Sequence, residues 1–156
     1  MTKKIYAAYG INTNILQMNK CCPKAKPSGL GILEGYKLTF RGNRIGFANI
    51  EKCKEGQVPL VIWDITKDCE KKLDLSVKYP DFYVKKIVDV LIDGEYKKAM
   101  LYVLGSGYES FVAIPDIEYF KTIEEGYEGN KISMNYLFEA MQNTYLEISK
   151  NSLKLL

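Results

Sequence analysis

Short apolar runs broken by glycine, asparagine and proline fill the first two thirds of the chain, and helical spacing takes over only near its end. Ile5 to Tyr9 is one such run, stopped by Gly10 with Asn12 and Asn14 close behind, the pattern of a buried strand that delivers its chain into a turn. Asn14 can cap a short helical turn through Met18. Pro23 to Pro27 predicts an extended or looped stretch, Gly31 to Arg41 a strand around a bend at Gly35, and Gly42-Asn43 a turn. Phe47 to Glu51 and Val58 to Ile65 predict two more strands. The second is so uniformly apolar through Val61-Ile62-Trp63 that it belongs in the middle of a sheet. Thr66 and Asp68 offer caps for a short charged helix reaching Leu73.

Val84 to Ile92 and Tyr96 to Leu104 are two strand-like runs joined through Asp93-Gly94, a strong hairpin signal. Pro115 and Asp116 open a helix through about Glu125, which Gly126 and Gly129 would end. From Ser133 the apolar positions Met134, Leu137, Phe138, Met141, Tyr145 and Ile148 recur at helical spacing, so an amphipathic helix is expected to lay that stripe on the sheet as core. Residues 146–156 read as a C-terminal tail, with Leu153, Leu155 and Leu156 its apolar positions. The expected architecture is one α+β domain over 1–156, built around a mixed or closed antiparallel sheet.

A chain of 156 residues is long enough for a single core, burying roughly 68 to 70% of its unfolded surface, so no disulfide or metal is needed for stability. Usage is ordinary for a globular protein at 47% apolar and 26% charged residues, which removes disordered and collagen-like classes. The net charge of +3 is dispersed over pairs such as Lys71-Lys72 and Lys97-Lys98 with acids between, a solvated surface rather than a stripe that tracks phosphates. Nucleic acid is therefore not an expected partner. Twenty lysines against two arginines fit an AT-rich genome, bacterial or viral.

No apolar stretch is long enough to span a membrane, and the first run is too short for a signal peptide. The expected setting is a reducing cytoplasm. Cys21, Cys22, Cys53 and Cys69 match neither a redox pair nor a zinc ribbon, so free buried thiols are expected. With no histidine in the chain, Ser-His-Asp and Cys-His catalysis are excluded, and no metal or cofactor is expected. Carboxylates, lysines and tyrosines remain for proton chemistry.

Two segments stand out as candidate chemistry, the Tyr9-Gly10-Ile11-Asn12 turn and Tyr79-Pro80-Asp81-Phe82-Tyr83. Backbone N–H groups after Gly10 can form a small nest for a carboxylate or phosphate, and Asn12 carries an amide that donates and accepts. A tight turn after any strand asks for the same residues. The twelve tyrosines divide the same way, between pocket walls and ordinary packing in a sheet-rich protein.

The ordered set of motifs resembles the gamma-glutamylcyclotransferase-like family, of the gamma-glutamylamine cyclotransferase type, from Ile5 to about Thr144. It rests on Tyr9-Gly10-Ile11-Asn12, Met18 with Cys22-Pro23, Gly35-Tyr36, Arg41, Phe47-Ala48-Asn49-Ile50-Glu51, Val58-Pro59 and Trp63-Asp64-Ile65. It continues through Leu73-Asp74, Tyr79-Pro80-Asp81-Phe82-Tyr83, Pro115 with Tyr119, and Glu125-Gly126-Tyr127. The resemblance implies a small closed or mixed β-sheet with flanking helices. It also implies an activity: the substrate's alpha-amine attacks its own side-chain carbonyl and expels an amine, releasing 5-oxoproline. That geometry is intramolecular, so a folded glutamyl group already gains much of the rate, and proton transfer remains. An ammonium with a pKa near 8 must lose a proton and the leaving amine must gain one, work for a single carboxylate.

In the family that carboxylate is a glutamate just before Gly-Tyr-Pro; here Val77 and Lys78 stand in place of the Glu-Gly pair. Losing a general acid-base group costs roughly 10²- to 10⁴-fold, and the partner for a substrate ammonium goes with it. Asp74, Asp81 and Glu118 are the fallback bases. Ile11 replaces a serine of the family turn, and Cys21 an arginine ahead of Cys22-Pro23. Tyr9, Gly10, Ile11, Asn12, Tyr79, Phe82, Tyr83 and Tyr119 are the candidate ligand-binding residues. The expected function is thus a catalytically degenerate member that binds a small metabolite or signalling nucleotide in the old pocket, as a sensor or as a sink of the kind a phage could use against a host signal. An active cyclotransferase with a relocated base is the alternative. A structural protein working through its lysine-rich exterior is a third reading.

Overall fold

A computed structural model describes residues 3–154 of the protein. The elements in order are β1 Lys4–Ala8, a single 3-10 turn Ile11–Thr13, α1 Ile15–Cys21, β2 Pro27–Arg41, β3 Phe47–Ile65, α2 Lys67–Ser76, β4 Tyr83–Ile92, β5 Glu95–Leu104, α3 Ile117–Gly129 and α4 Asn135–Lys154. The strands close into a barrel in the order β1-β3-β2-β4-β5, so the α+β expectation of a closed sheet with flanking helices holds. The sheet is mixed because β1 meets β5 in parallel through a single register pair, Tyr6 with Met100. β2 meets β4 through one pair as well, Ile32 with Leu91.

Alternation along the strands sorts the core into two faces. Ala7, Leu60, Ile62, Ala99 and Leu101 pack with Ile123 and Tyr127 of α3 and with Leu137 and Ala140 of α4. Their neighbours Tyr6, Ala8, Val61, Trp63, Ile65 and Met100 pack with Met18 of α1 and with Cys69 and Leu73 of α2. Both faces of β3 are buried there, and β1 and β2 flank it on either side, which is why Val58 to Ile65 reads as one apolar run.

The cap and turn chemistry matches the sequence pattern at several ends. Asn14 accepts from Gln17 N at 3.2 Å, and Thr66 accepts from Cys69 N at 3.2 Å. Asp93 and Gly94 take φ values of 49° and 80°, the two left-handed positions of a two-residue hairpin turn. α2 runs to Ser76 rather than ending at Leu73.

Other expectations change as well. Phe47–Glu51 and Val58–Ile65 are one strand, because β2 is long enough to pair with both and the polar stretch between them bulges opposite Gly35. Gly126 lies inside α3 rather than ending it. A Cβ there would collide with Thr13 Oγ1 and the Asn14 amide, so glycine is what lets α3 press onto the turn after β1. On α4 the buried line is Leu137, Ala140 and Thr144, while Phe138 and Tyr145 are exposed. Finally, Cys22 and Cys69 form a disulfide with their Cα atoms 5.5 Å apart, and only Cys21 and Cys53 are free thiols. Spacing could not reveal the pair, since it joins the end of α1 to the first turn of α2 across 47 residues. The tail continues α4 with Leu153 exposed; Leu155 and Leu156 lie outside the described residues.

Candidate functional site

The barrel is closed by side chains where strand pairing gives out. Beyond the Tyr6–Met100 pair, Tyr9 reaches across from the end of β1 and donates its hydroxyl to the Tyr102 carbonyl of β5 at 2.5 Å. Asn49 of β3, 2% exposed, accepts from the Leu104 amide at 3.0 Å. Two more tyrosines hold the Ala48 peptide unit by its flanking groups: Tyr83 donates to Ala48 O at 2.7 Å, and Tyr119 accepts from Ala48 N at 2.9 Å.

This end of the barrel holds a cavity of about 260 Å³. Tyr6, Ala7 and Tyr9 supply the β1 side, Gly10, Ile11 and Asn12 the turn, and Phe47 and Ala48 the β3 side. Ser76, Val77 and Lys78 come from the end of α2, Phe82 from the turn before β4, Tyr83 and Tyr102 from β4 and β5, and Tyr119 from α3. The rings meet edge to face: Phe47 lies 4.9 Å from Phe82 and 5.4 Å from Tyr119, centroid to centroid, so the wall is a braced aromatic lattice. Asn12 spans the turn, its side chain donating to the Tyr6 hydroxyl at 3.0 Å and its carbonyl accepting from the Trp63 indole at 3.1 Å.

Of the candidate ligand-binding residues, Tyr9, Gly10, Ile11, Asn12, Phe82, Tyr83 and Tyr119 all line the cavity. Tyr79 does not. It stands edge-on to Tyr102 at 6.5 Å with the Lys85 ammonium 4.4 Å over its ring, and it is 39% exposed. Val77 lines the cavity, half-buried as the C-cap of α2. Tyr6, Phe47, Lys78 and Tyr102 are wall residues that the sequence reading did not nominate. Phe47 stood inside a quoted motif, and a tyrosine on β5 would have needed the strand pairing to be placed.

The fallback bases stand elsewhere. Asp74 is half-buried beside the site, where it accepts from Lys85 Nζ at 3.0 Å and from the Tyr102 hydroxyl at 2.6 Å. Asp81 and Glu118 are exposed, and neither lines the cavity. Among the described residues, therefore, no carboxylate faces the cavity and Lys78 is its one charged group.

Burial pushes the phenols of Tyr6, Tyr9, Tyr83 and Tyr119 above their ordinary value, because an ionised ring would lose its water. Tyr102 is raised too, by burial and then by the Asp74 carboxylate it serves as donor. These hydroxyls stay protonated across the physiological range. Burial also raises the Cys21 thiol, against the bond to Ser76 and the Lys72 charge that lower it, so Cys21 is a poor nucleophile. No group of three His, Cys, Asp or Glu among the described residues is placed to hold a metal. No described helix is long and apolar enough to cross a membrane.

Residues 6–121 match the family described as gamma-glutamyl cyclotransferase, AIG2-like. The chain belongs to that family. Solved structures agree: a human protein described as uncharacterized superposes with a TM-score of 0.78 at 25% identity, over 90% of this chain and 87% of its own. A gamma-glutamyl cyclotransferase gives the same TM-score and identity over 89% of this chain and 86% of its own. A yeast gamma-glutamyl cyclotransferase specific to glutathione, 10% identical with a TM-score of 0.60 over 94% and 99% of the two chains, shares the fold. No curated protein sequence matches this one. Within the family frame, the Tyr9-to-Asn12 turn, Val77 and Tyr119 converge on a single cavity.

Proposed function

We propose that this family member no longer performs the cyclotransferase reaction and instead holds a small molecule, a metabolite or a signalling nucleotide, in the former active-site cavity. The observation that carries this reading is the cavity wall itself. Val77 occupies it where the resemblance places the catalytic glutamate, and no carboxylate among the described residues replaces it. A cavity with neither a base for the alpha-ammonium nor an acid for the leaving amine has lost roughly 10²- to 10⁴-fold in rate. Its aromatic walls still suit a ligand.

One contact supports a second reading. Asp74 touches the cavity indirectly, through the Tyr102 hydroxyl, and a carboxylate one phenol removed could pass a proton through that ring oxygen. The two readings separate on 5-oxoproline release from a gamma-glutamyl amine. The binding reading expects the wild-type protein to stay at background and Val77→Glu to recover measurable turnover. Turnover by the wild type that disappears in Asp74→Asn would replace the first reading with the second.

A further inference from the structure

The cavity's one charged side chain is a cation, and one of its buried hydroxyls keeps a proton to donate. Tyr6, 5% exposed, accepts at its hydroxyl oxygen from Asn12, yet no acceptor among the described residues takes its proton. Tyr119 accepts from the Ala48 amide and is hydrogen-bonded to the Tyr83 hydroxyl, so it is committed. The remaining wall hydroxyls are committed, Tyr9 to the Tyr102 carbonyl, Tyr83 to the Ala48 carbonyl, Tyr102 to Asp74 and Ser76 to the Leu73 carbonyl. Lys78 stands at the wall with no ion-pair partner among the described residues, whereas Lys85 nearby is neutralised by Glu70 and Asp74. The uncommitted polar side-chain groups are therefore the Tyr6 proton, the Lys78 ammonium and the Asn12 amide oxygen, set among rings and with no negative charge among them.

We propose that the ligand is a ring-bearing anion without an ammonium group, a carboxylate or a phosphate, whose anionic oxygen takes the free hydroxyl proton of Tyr6 while Lys78 balances its charge. This deepens the binding reading and rests on it. Three features select the class. A buried donor left unpaired is costly, so a ligand that accepts is favoured over one that only donates. Hydrogen bonds from neutral donors to an ionised oxygen are the stronger kind, and an apolar surround strengthens them further. A zwitterionic glutamyl group would instead bring an ammonium into a cavity that offers it no counter-charge. Burial keeps the Tyr6 phenol protonated, hence able to donate, throughout the working pH range. At about 260 Å³ the space takes a small ring-bearing acid whole, or the ring end of a larger ligand whose remainder passes Lys78 to solvent.

The test pairs native mass spectrometry of the full chain, after incubation with a metabolite extract, with titrations of three probes: benzoate, adenosine monophosphate and gamma-glutamylmethylamide. The expected result is a bound anion lacking an ammonium, either probe anion or retained compound, held at least about tenfold tighter than gamma-glutamylmethylamide. The first two probes separate a carboxylate from a phosphate ligand. Tyr6→Phe should weaken that anion about tenfold, the range for a lost bond to a charged group. Lys78→Ala, an exposed change that leaves the core intact, should weaken it severalfold and flatten its salt dependence. A retained ligand bearing an ammonium, or an anion indifferent to both substitutions, overturns the ligand class and leaves the binding function standing. Nothing retained from the extract and no probe bound overturns the binding function as well.

Discussion

Ala48 has its amide bonded to one tyrosine hydroxyl and its carbonyl to another, so Tyr83 and Tyr119 close the barrel and wall the cavity at once. Such double duty blurs the line between packing and function that composition alone suggests for tyrosine. Tyr127 shows the opposite case: fully buried, with its hydroxyl unpartnered among the described residues. An orphan buried donor costs free energy, so Tyr127→Phe should stabilise the protein by about 1 kcal/mol in urea unfolding. A loss of stability of that size would instead reveal a partner for the hydroxyl. At this scale the turn residues and Val77 were legible because sequence position alone identifies them. Tyr6 and Tyr102 were not, since whether a strand residue faces the cavity depends on where the barrel splits, and no local pattern encodes that.

α2 carries Val77 and Lys78 to the cavity, and its placement depends on an ion-pair cluster with β4. Lys85 Nζ lies 2.7 Å from Glu70 and 3.0 Å from Asp74, with Lys4 adding a third contact at 3.0 Å to Glu70. Burial alone would raise the Glu70 carboxyl, but the bonds from Lys85 and Lys4 outweigh it and hold the group below its usual value. The Lys85 ammonium, disfavoured by burial, is held above its usual value by Glu70 and Asp74. A depressed carboxyl contributes stability above its unfolded pKa and loses it as the pH falls through the folded one. A raised amine contributes below its unfolded pKa and loses it as the pH rises through the folded one. The cluster therefore holds between about pH 5 and pH 10. Glu70→Gln should cost about 1 to 2 kcal/mol at neutral pH, a difference that shrinks toward zero in melting curves as the pH falls through the lowered pKa of Glu70. A pH-independent difference would mean the cluster does not hold α2. The hairpin, the caps and the apolar stretch of β3 were legible from local chemistry; the fusion of two strands into β3 and the place of Gly126 inside α3 were not, because each is decided by the element packed opposite.

At the scale of the molecule, a closed barrel with helices on both faces follows from strands buried on both sides and from apolar helical stripes, though the closing contact could not be read in advance. The Cys22–Cys69 disulfide was the larger surprise, since it ties together two helices that only the fold makes neighbours. A loop of this length predicts a loss of about 3 to 4 kcal/mol on reduction or in Cys22→Ser. The check is a thiol titration under denaturing, non-reducing conditions, which should find two reactive thiols of the four cysteines; four would place the pair in the reduced state. Family membership, the carboxylate-free cavity and the displaced acids all bear on whether the protein keeps what it binds or converts it. The most direct measurement is to incubate the purified protein with a metabolite extract containing gamma-glutamyl peptides, then follow bound mass by native mass spectrometry and free 5-oxoproline together. A ligand retained chemically unchanged, with 5-oxoproline at background, is the predicted result; catalytic release of 5-oxoproline with nothing retained would contradict it.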